Sequence, residues 1–175
     1  MQVYWGDGKG KTTASMGLIA RALGRNFKVH LVQFMKCGLE GNNDFLDYGE
    51  LVSLEKLDGF SVKRFGFKEW VIGTPKKEHV EEAGKALDYS KKIIYSGEYD
   101  LVVLDEVLYA MQLMLIKEAE VLELISAKHE NTELVLTGSH KAFPRIFEKA
   151  DLVTEMKKIK HPYDKGVLAR KGIEF

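Results

Sequence analysis

A three-layer α/β/α sandwich built on a mostly parallel sheet is the fold class this sequence predicts, and three observations predict it. A short β-prone run, Val3-Tyr4-Trp5, meets a glycine loop, Gly6-Asp7-Gly8-Lys9-Gly10-Lys11-Thr12-Thr13, which leads straight into a helical stretch from Ala14 to Leu23. Leu101-Val102-Val103-Leu104 and Leu134-Val135-Leu136 are continuous apolar runs, the pattern of parallel strands covered on both faces. Helical patterns alternate with these strands, as a parallel sheet requires.

Taken in order, the first helix closes at Gly24, a plausible C-cap. Phe27 to Phe34 reads as a second strand and Met35 to Asn43 as a loop punctuated by Gly38 and Gly41. Phe45 to Leu57 is weakly helical with a break at Gly49, and Phe60 to Phe65 alternates as a half-exposed strand does. Thr74-Pro75 signals a helix with Thr as N-cap, and Val80, Ala83, Leu87 and Ile94 form its buried stripe before Gly97 ends it. Leu108 to Ile125 supplies one or two helices, Leu134 to Gly138 a buried strand, Phe143 to Lys149 a short helix, and Leu152 to Met156 the last strand.

The glycine loop has the strand–loop–helix context of a P-loop. Glycines let backbone N–H groups converge on phosphate, and the helix that follows adds its positive dipole end. Gly6, Asp7, Gly8, Lys9, Gly10, Lys11, Thr12 and Thr13 are therefore the expected nucleotide-binding residues, with Lys11 a mobile cation and Thr12 a hydroxyl for Mg²⁺. The usual first glycine is replaced by Trp5, so the loop is shortened or modified; an ordinary glycine turn is the bland alternative. Asp105-Glu106, at the end of a buried strand, has the form of a Walker B element. Glu106 could hold metal or act as a hydrolytic base. Gln33, Lys36, Thr137 and Gly138 fall at strand ends, where a ligand lies in such sheets, though they could equally be loop and cap residues. Phe65, Phe67 and Trp70 suit packing better than the cover of a flat ligand.

At 175 residues the chain suits a single domain spanning 1–175. Its 26 basic and 26 acidic residues balance, which gives no reason to expect nucleic acid as a partner. No apolar run approaches membrane-spanning length, no leader is evident, and Cys37 is the only cysteine, so a reducing, cytoplasmic setting is expected. The five histidines show no metal-ligand spacing, and the basic tail from Lys157 to Lys171 reads as a solvated face.

These pieces together resemble the ATP:corrinoid adenosyltransferases, the cob(I)yrinic acid a,c-diamide adenosyltransferase family of P-loop, RecA-like fold. The resemblance rests on the glycine loop with Thr13-Ala14, on Arg21-Ala22-Leu23-Gly24, and on Val32-Gln33-Phe34-Met35-Lys36. It extends through Tyr48-Gly49-Glu50-Leu51, Tyr99 to Glu106, Leu136-Thr137-Gly138 and Ala150 to Met156, then Lys160-His161-Pro162-Tyr163 and Gly172-Ile173-Glu174-Phe175. It implies that Co(I) of a reduced corrinoid attacks the 5′ carbon of ATP and expels triphosphate, with the nucleotide lying reversed in the loop. It further implies Lys11 and Glu106 as catalytic groups, Thr12 and Glu106 as ligands of Mg²⁺ or Mn²⁺, a flavoprotein or flavodoxin-type electron donor, and a homodimer. Departures are Thr137-Gly138-Ser139 where relatives carry Thr-Gly-Arg, Cys37 for a usual glycine, Phe67 and Trp70 set three apart, and a start at the strand where relatives have a helical extension. A P-loop ATPase or small-molecule kinase is the competing expectation, followed by a non-catalytic binding module.

Overall fold

A computed structural model describes residues 1–37, 48–67 and 73–175. Its strands are β1 (Gln2–Trp5), β2 (Val29–Gln33), β3 (Phe60–Arg64), β4 (Leu101–Asp105), β5 (Glu133–Thr137) and β6 (Leu152–Glu155). They form one six-stranded sheet in the order β3-β2-β4-β5-β1-β6. Every pairing is parallel, so the expected "mostly parallel" sheet is wholly so among the described residues. The helices are α1 (Lys11–Leu23), α2 (Gly49–Leu54), α3 (Lys77–Ser96), α4 (Val107–Gln112), α5 (Glu118–Ser126) and α6 (Pro144–Phe147).

Alternation along the central strands divides the core into two layers. Val32, Leu104, Leu134 and Leu136 face one side, where Ala83, Leu87 and Ile94 of α3 pack with Leu108 of α4 and Leu124 of α5. Leu31, Val103 and Val135 face the other, against Met16, Ile19 and Leu23 of α1 and Leu51 and Leu54 of α2. Because all strands run the same way, the segments that leave β1, β2, β4 and β5 emerge at one edge of the sheet. Register makes this exact enough for chemistry: Gln33 lies beside Asp105, and Tyr4 beside Thr137.

Several boundaries differ from the sequence reading. Thr74-Pro75 does not cap α3; Lys76 does, because its N–H donates to Nδ1 of His79 at 3.3 Å and the helix starts at Lys77. Val80 is exposed, and His79, Ala86 and Ser90 complete the buried stripe instead. Ser90 tolerates burial because its hydroxyl donates to the Ala86 carbonyl at 2.7 Å. Gly49 begins α2 and does not interrupt it, while the expected helical residues before Tyr48 lie outside the described residues. The stretch from Leu108 to Ile125 divides into α4 and α5, with Met114 between them in a left-handed conformation at φ 60°. Gly24 does cap α1, but with right-handed torsions (φ −63°), so its conformational freedom is not what the cap uses.

Candidate active site

Gly10 starts α1 at φ 115° with no side-chain cap, and the first turn carries no acid. The dipole end of a 13-residue helix thus points at the loop without a negative side chain competing for it. The ammonium of Lys11 folds back onto the loop, donating to the carbonyls of Gly6 at 2.7 Å and Gly8 at 2.8 Å. Burial lowers its pKa, only partly opposed by Glu106 and Asp7.

The other half of the loop is tied to the protein. Gly6 donates its N–H to the Ser139 carbonyl at 2.9 Å, and Gly8 to that of Met156 at 2.6 Å. Gly6, at φ 114°, leaves no room for a Cβ because the Met156 backbone lies against it. Asp7 is exposed and accepts the Lys158 N–H at 3.0 Å, a bond that lowers its carboxyl pKa. Lys9 reaches the far end of the chain, 3.0 Å from the Ile173 carbonyl and 3.3 Å from the Glu174 carboxylate. Lys9, Gly10, Lys11, Thr12 and Thr13 then line a cleft of about 630 Å³, to which Tyr48, Glu50, Glu174 and Phe175 also contribute.

Asp105 is the hub of the site, fully buried as the last residue of β4. Its Oδ1 accepts from the Thr12 hydroxyl at 2.9 Å and from the Thr137 hydroxyl at 2.6 Å. Its Oδ2 accepts from the Lys36 ammonium at 2.7 Å and from the Gln33 amide at 3.1 Å. Burial alone would raise the Asp105 pKa, but Lys36 and the two hydroxyls outweigh it and hold the group ionised. Lys36 shows the reverse balance: burial opposes its charge, and Asp105 with Glu106 raises its pKa above the usual lysine value.

Glu106, the next residue, turns through φ 64° to cap α4, and its N–H donates to the Thr137 hydroxyl at 3.0 Å. Gly138 makes room for it; a Cβ there would sit 3.0 Å from a Glu106 carboxylate oxygen and 2.8 Å from the Tyr109 nitrogen. Burial, reinforced by repulsion from Asp105, raises the Glu106 pKa even though Lys36 and Lys11 pull it down. Lys11, Lys36 and Glu106 also border a second cleft of about 320 Å³, lined by Phe34, Tyr109 and His140.

A hydroxyl and two carboxylates form an all-oxygen donor set, the chemistry of a hard divalent cation that takes its remaining ligands from substrate phosphates and water. Among the described residues no group of three or more His, Cys, Asp or Glu could hold a metal by itself. The Thr12 hydroxyl gives its proton to Asp105, so its oxygen keeps lone pairs for a cation. The Lys36 ammonium, 3.1 Å from that oxygen and 3.7 Å from a Glu106 oxygen, stands in such a position.

The whole chain, residues 1–175, matches the model of the family described as ATP:corrinoid adenosyltransferase BtuR/CobO/CobP. The chain belongs to this family. It is similar to the corrinoid adenosyltransferase of Pseudomonas aeruginosa, with 33% identity over 99% of this chain and 82% of the relative. A corrinoid adenosyltransferase of Salmonella typhimurium is 34% identical over 99% of this chain and 84% of its own, and that of Escherichia coli K12 is 33% identical over the same shares. This adenosyltransferase chain places the sequence-predicted Lys11, Thr12 and Glu106 around one cleft and adds Gln33, Lys36 and Thr137 to them through Asp105.

Sequence reasoning read Asp105-Glu106 together as a Walker B element and singled out Glu106 for metal duty, missing Asp105 as the hub. The overlooked signal was position: Asp105 is the last residue within the strand and Glu106 the first beyond it. His140 carried no spacing signal, since only the fold brings its ring to the second cleft, where burial and the nearby Lys11 lower its pKa. Phe65 and Phe67 pack against Tyr89 and His79, with ring centroids 5.5 Å and 5.4 Å apart. Trp70 lies outside the described residues.

Proposed function

We propose that residues 1–175 act as one domain that grips the phosphates of ATP and transfers its adenosyl group to the Co(I) of a reduced corrinoid, releasing triphosphate. The single observation that carries this reading is the convergence of Lys11, Thr12 and Glu106 on one cleft, in a chain matched over its full length to the family. The nucleophile is the substrate's own cobalt, so no side chain needs activation. The protein's share is alignment of the 5′ carbon and stabilisation of charge on the leaving group. Lys11 leaves its loop carbonyls for a phosphate oxygen, and the first turn of α1 supplies N–H groups. Thr12 and Glu106 are the proposed ligands of Mg²⁺ or Mn²⁺, which when bound offsets charge accumulating on the triphosphate.

A flavodoxin-type electron donor, a homodimeric state and a cytoplasmic setting complete the reading. They draw support from the family likeness; among the described residues no helix is long and apolar enough to cross a membrane. The test is anaerobic mixing of the protein with ATP, Mg²⁺ and chemically reduced corrinoid. Loss of Co(I) absorbance in step with triphosphate release is the expected result. Corrinoid-independent ADP formation would replace this reading with an ATPase or kinase.

A further inference from the structure

We propose that Lys36 is a built-in cation that occupies the metal position in the nucleotide-free protein, so that the divalent ion enters only together with ATP. This rests on the proposed metal-assisted reading of the same site. The ammonium is 3.1 Å from Thr12 Oγ1 and 3.7 Å from Glu106 Oε1, the proposed metal ligands, and 2.7 Å from Oδ2 of Asp105, the carboxylate beside them. An ammonium and a divalent cation cannot share these oxygens, because like charges about 3 Å apart repel strongly.

The backbone around Lys36 is built to aim this side chain. Met35, a non-glycine residue, adopts φ 58°, a conformation that persists only where the surroundings impose it. The Lys36 N–H donates to the Phe65 carbonyl at 3.1 Å, and its own carbonyl accepts from Nε of Arg64 at 2.6 Å. The chain thus turns sharply at the end of β2 and is pinned on both sides of the Lys36 Cα to the last residue of β3 and the residue after it. From there the side chain returns inward to a carboxylate with no solvent exposure, while remaining 19% exposed itself at a rim shared by both clefts.

This arrangement solves a problem of charge. Asp105 has no solvent exposure, and a buried carboxylate with no cation beside it would carry an uncompensated charge. Thr12 and Glu106 would hold the metal that accompanies a polyphosphate, and the displaced Lys36 ammonium, on its flexible stem, would have phosphate oxygens within the same rim to meet. Positive charge is exchanged and not merely added. Lys36 is therefore a positioning residue that orders metal and nucleotide binding.

The experiment is titration of nucleotide-free protein with Mn²⁺, reading the free-ion signal by electron paramagnetic resonance. The wild type is expected to bind weakly, and Lys36→Met to gain affinity by at least about thirtyfold. Lys36→Arg, which retains the charge, should stay closed as the wild type does. A merely structural role for Lys36 would not produce tighter metal binding in its absence. Equal Mn²⁺ affinity in wild type and Lys36→Met overturns the proposal, and Lys36→Gln carries the same expectation should the Met variant fail to fold. In a parallel arm, water-proton relaxation detects Mn²⁺–ATP on the wild type. Absence of that complex would instead defeat the metal-assisted reading itself.

Discussion

Two polar networks lie at opposite ends of the same strand pair, β2 and β4, and they solve burial in opposite ways. At the amino end, His30 of β2 is buried, with Nδ1 2.6 Å from the Ser61 hydroxyl and Nε2 3.2 Å from the Tyr89 hydroxyl. The Tyr89 and Tyr99 rings enclose it, with centroids 5.7 Å and 4.9 Å away, and burial lowers its pKa to about 4. Every group there is neutral. At the carboxyl end the network around Asp105 is charged, and its members Lys36, Thr12 and Glu106 open onto a cleft. Neutral burial needs only hydrogen bonds, whereas buried charge needs a partner of opposite sign. A fold keeps the second arrangement where a charged ligand can exchange with that partner.

Breaking the charged network at its hub is the strongest test of this contrast. Asp105→Ala strands Lys36 beside a cavity and should destabilise the fold by about 3–5 kcal/mol. Tyr89→Phe, in the neutral network, should cost only about 1 kcal/mol. Urea unfolding of both variants checks the difference. Next, Lys11→Ala should lower turnover at least about a hundredfold with little change in the unfolding midpoint, since its folded-back contacts are to loop carbonyls at the surface of a cleft. Steady-state triphosphate release measures it.

The neutral network makes its own prediction through pH. Burial holds the His30 pKa at about 4 in the folded protein, against the ordinary imidazole value of about 6.5 in the unfolded chain. A group with a depressed folded pKa of this kind favours folding as long as it is neutral. Its contribution is thus complete above about pH 6.5 and is lost as pH falls from there to about 4, by up to about 3 kcal/mol. The difference in stability between wild type and His30→Phe should shrink by that amount across this window, whatever other groups titrate in both. Smallest of the four, Glu106→Gln should raise the Mg²⁺ concentration for half-maximal activity about tenfold. An unchanged Mg²⁺ titration would remove Glu106 from the metal's ligands.

Much of the fold was legible because it depends on short-range pattern. The runs at Leu101 and Leu134 appear as β4 and β5 at the centre of the sheet, and the glycine loop stands between β1 and α1 as expected. Misreadings fell where tertiary contacts compete with local signals. Thr74-Pro75 is a good start signal, yet His79 recruits Lys76 as the cap. Val80 fits the helical stripe, but α3 turns Ser90 and Ala86 inward in its place.

The sequence by itself determined the order of strands and helices, the loop whose glycines and lysine suit phosphate, and the presence of an acid pair after a buried strand. These follow from periodicity and from residue chemistry over a few positions, which need no partner distant in the chain. Only the tertiary structure decided that Asp105, not Glu106, is the hub, and that Lys36 holds it. Those facts arise from parallel pairing that sets Gln33 level with Asp105 and from a left-handed bend at Met35, and no local pattern encodes which far-separated side chains will share one buried charge.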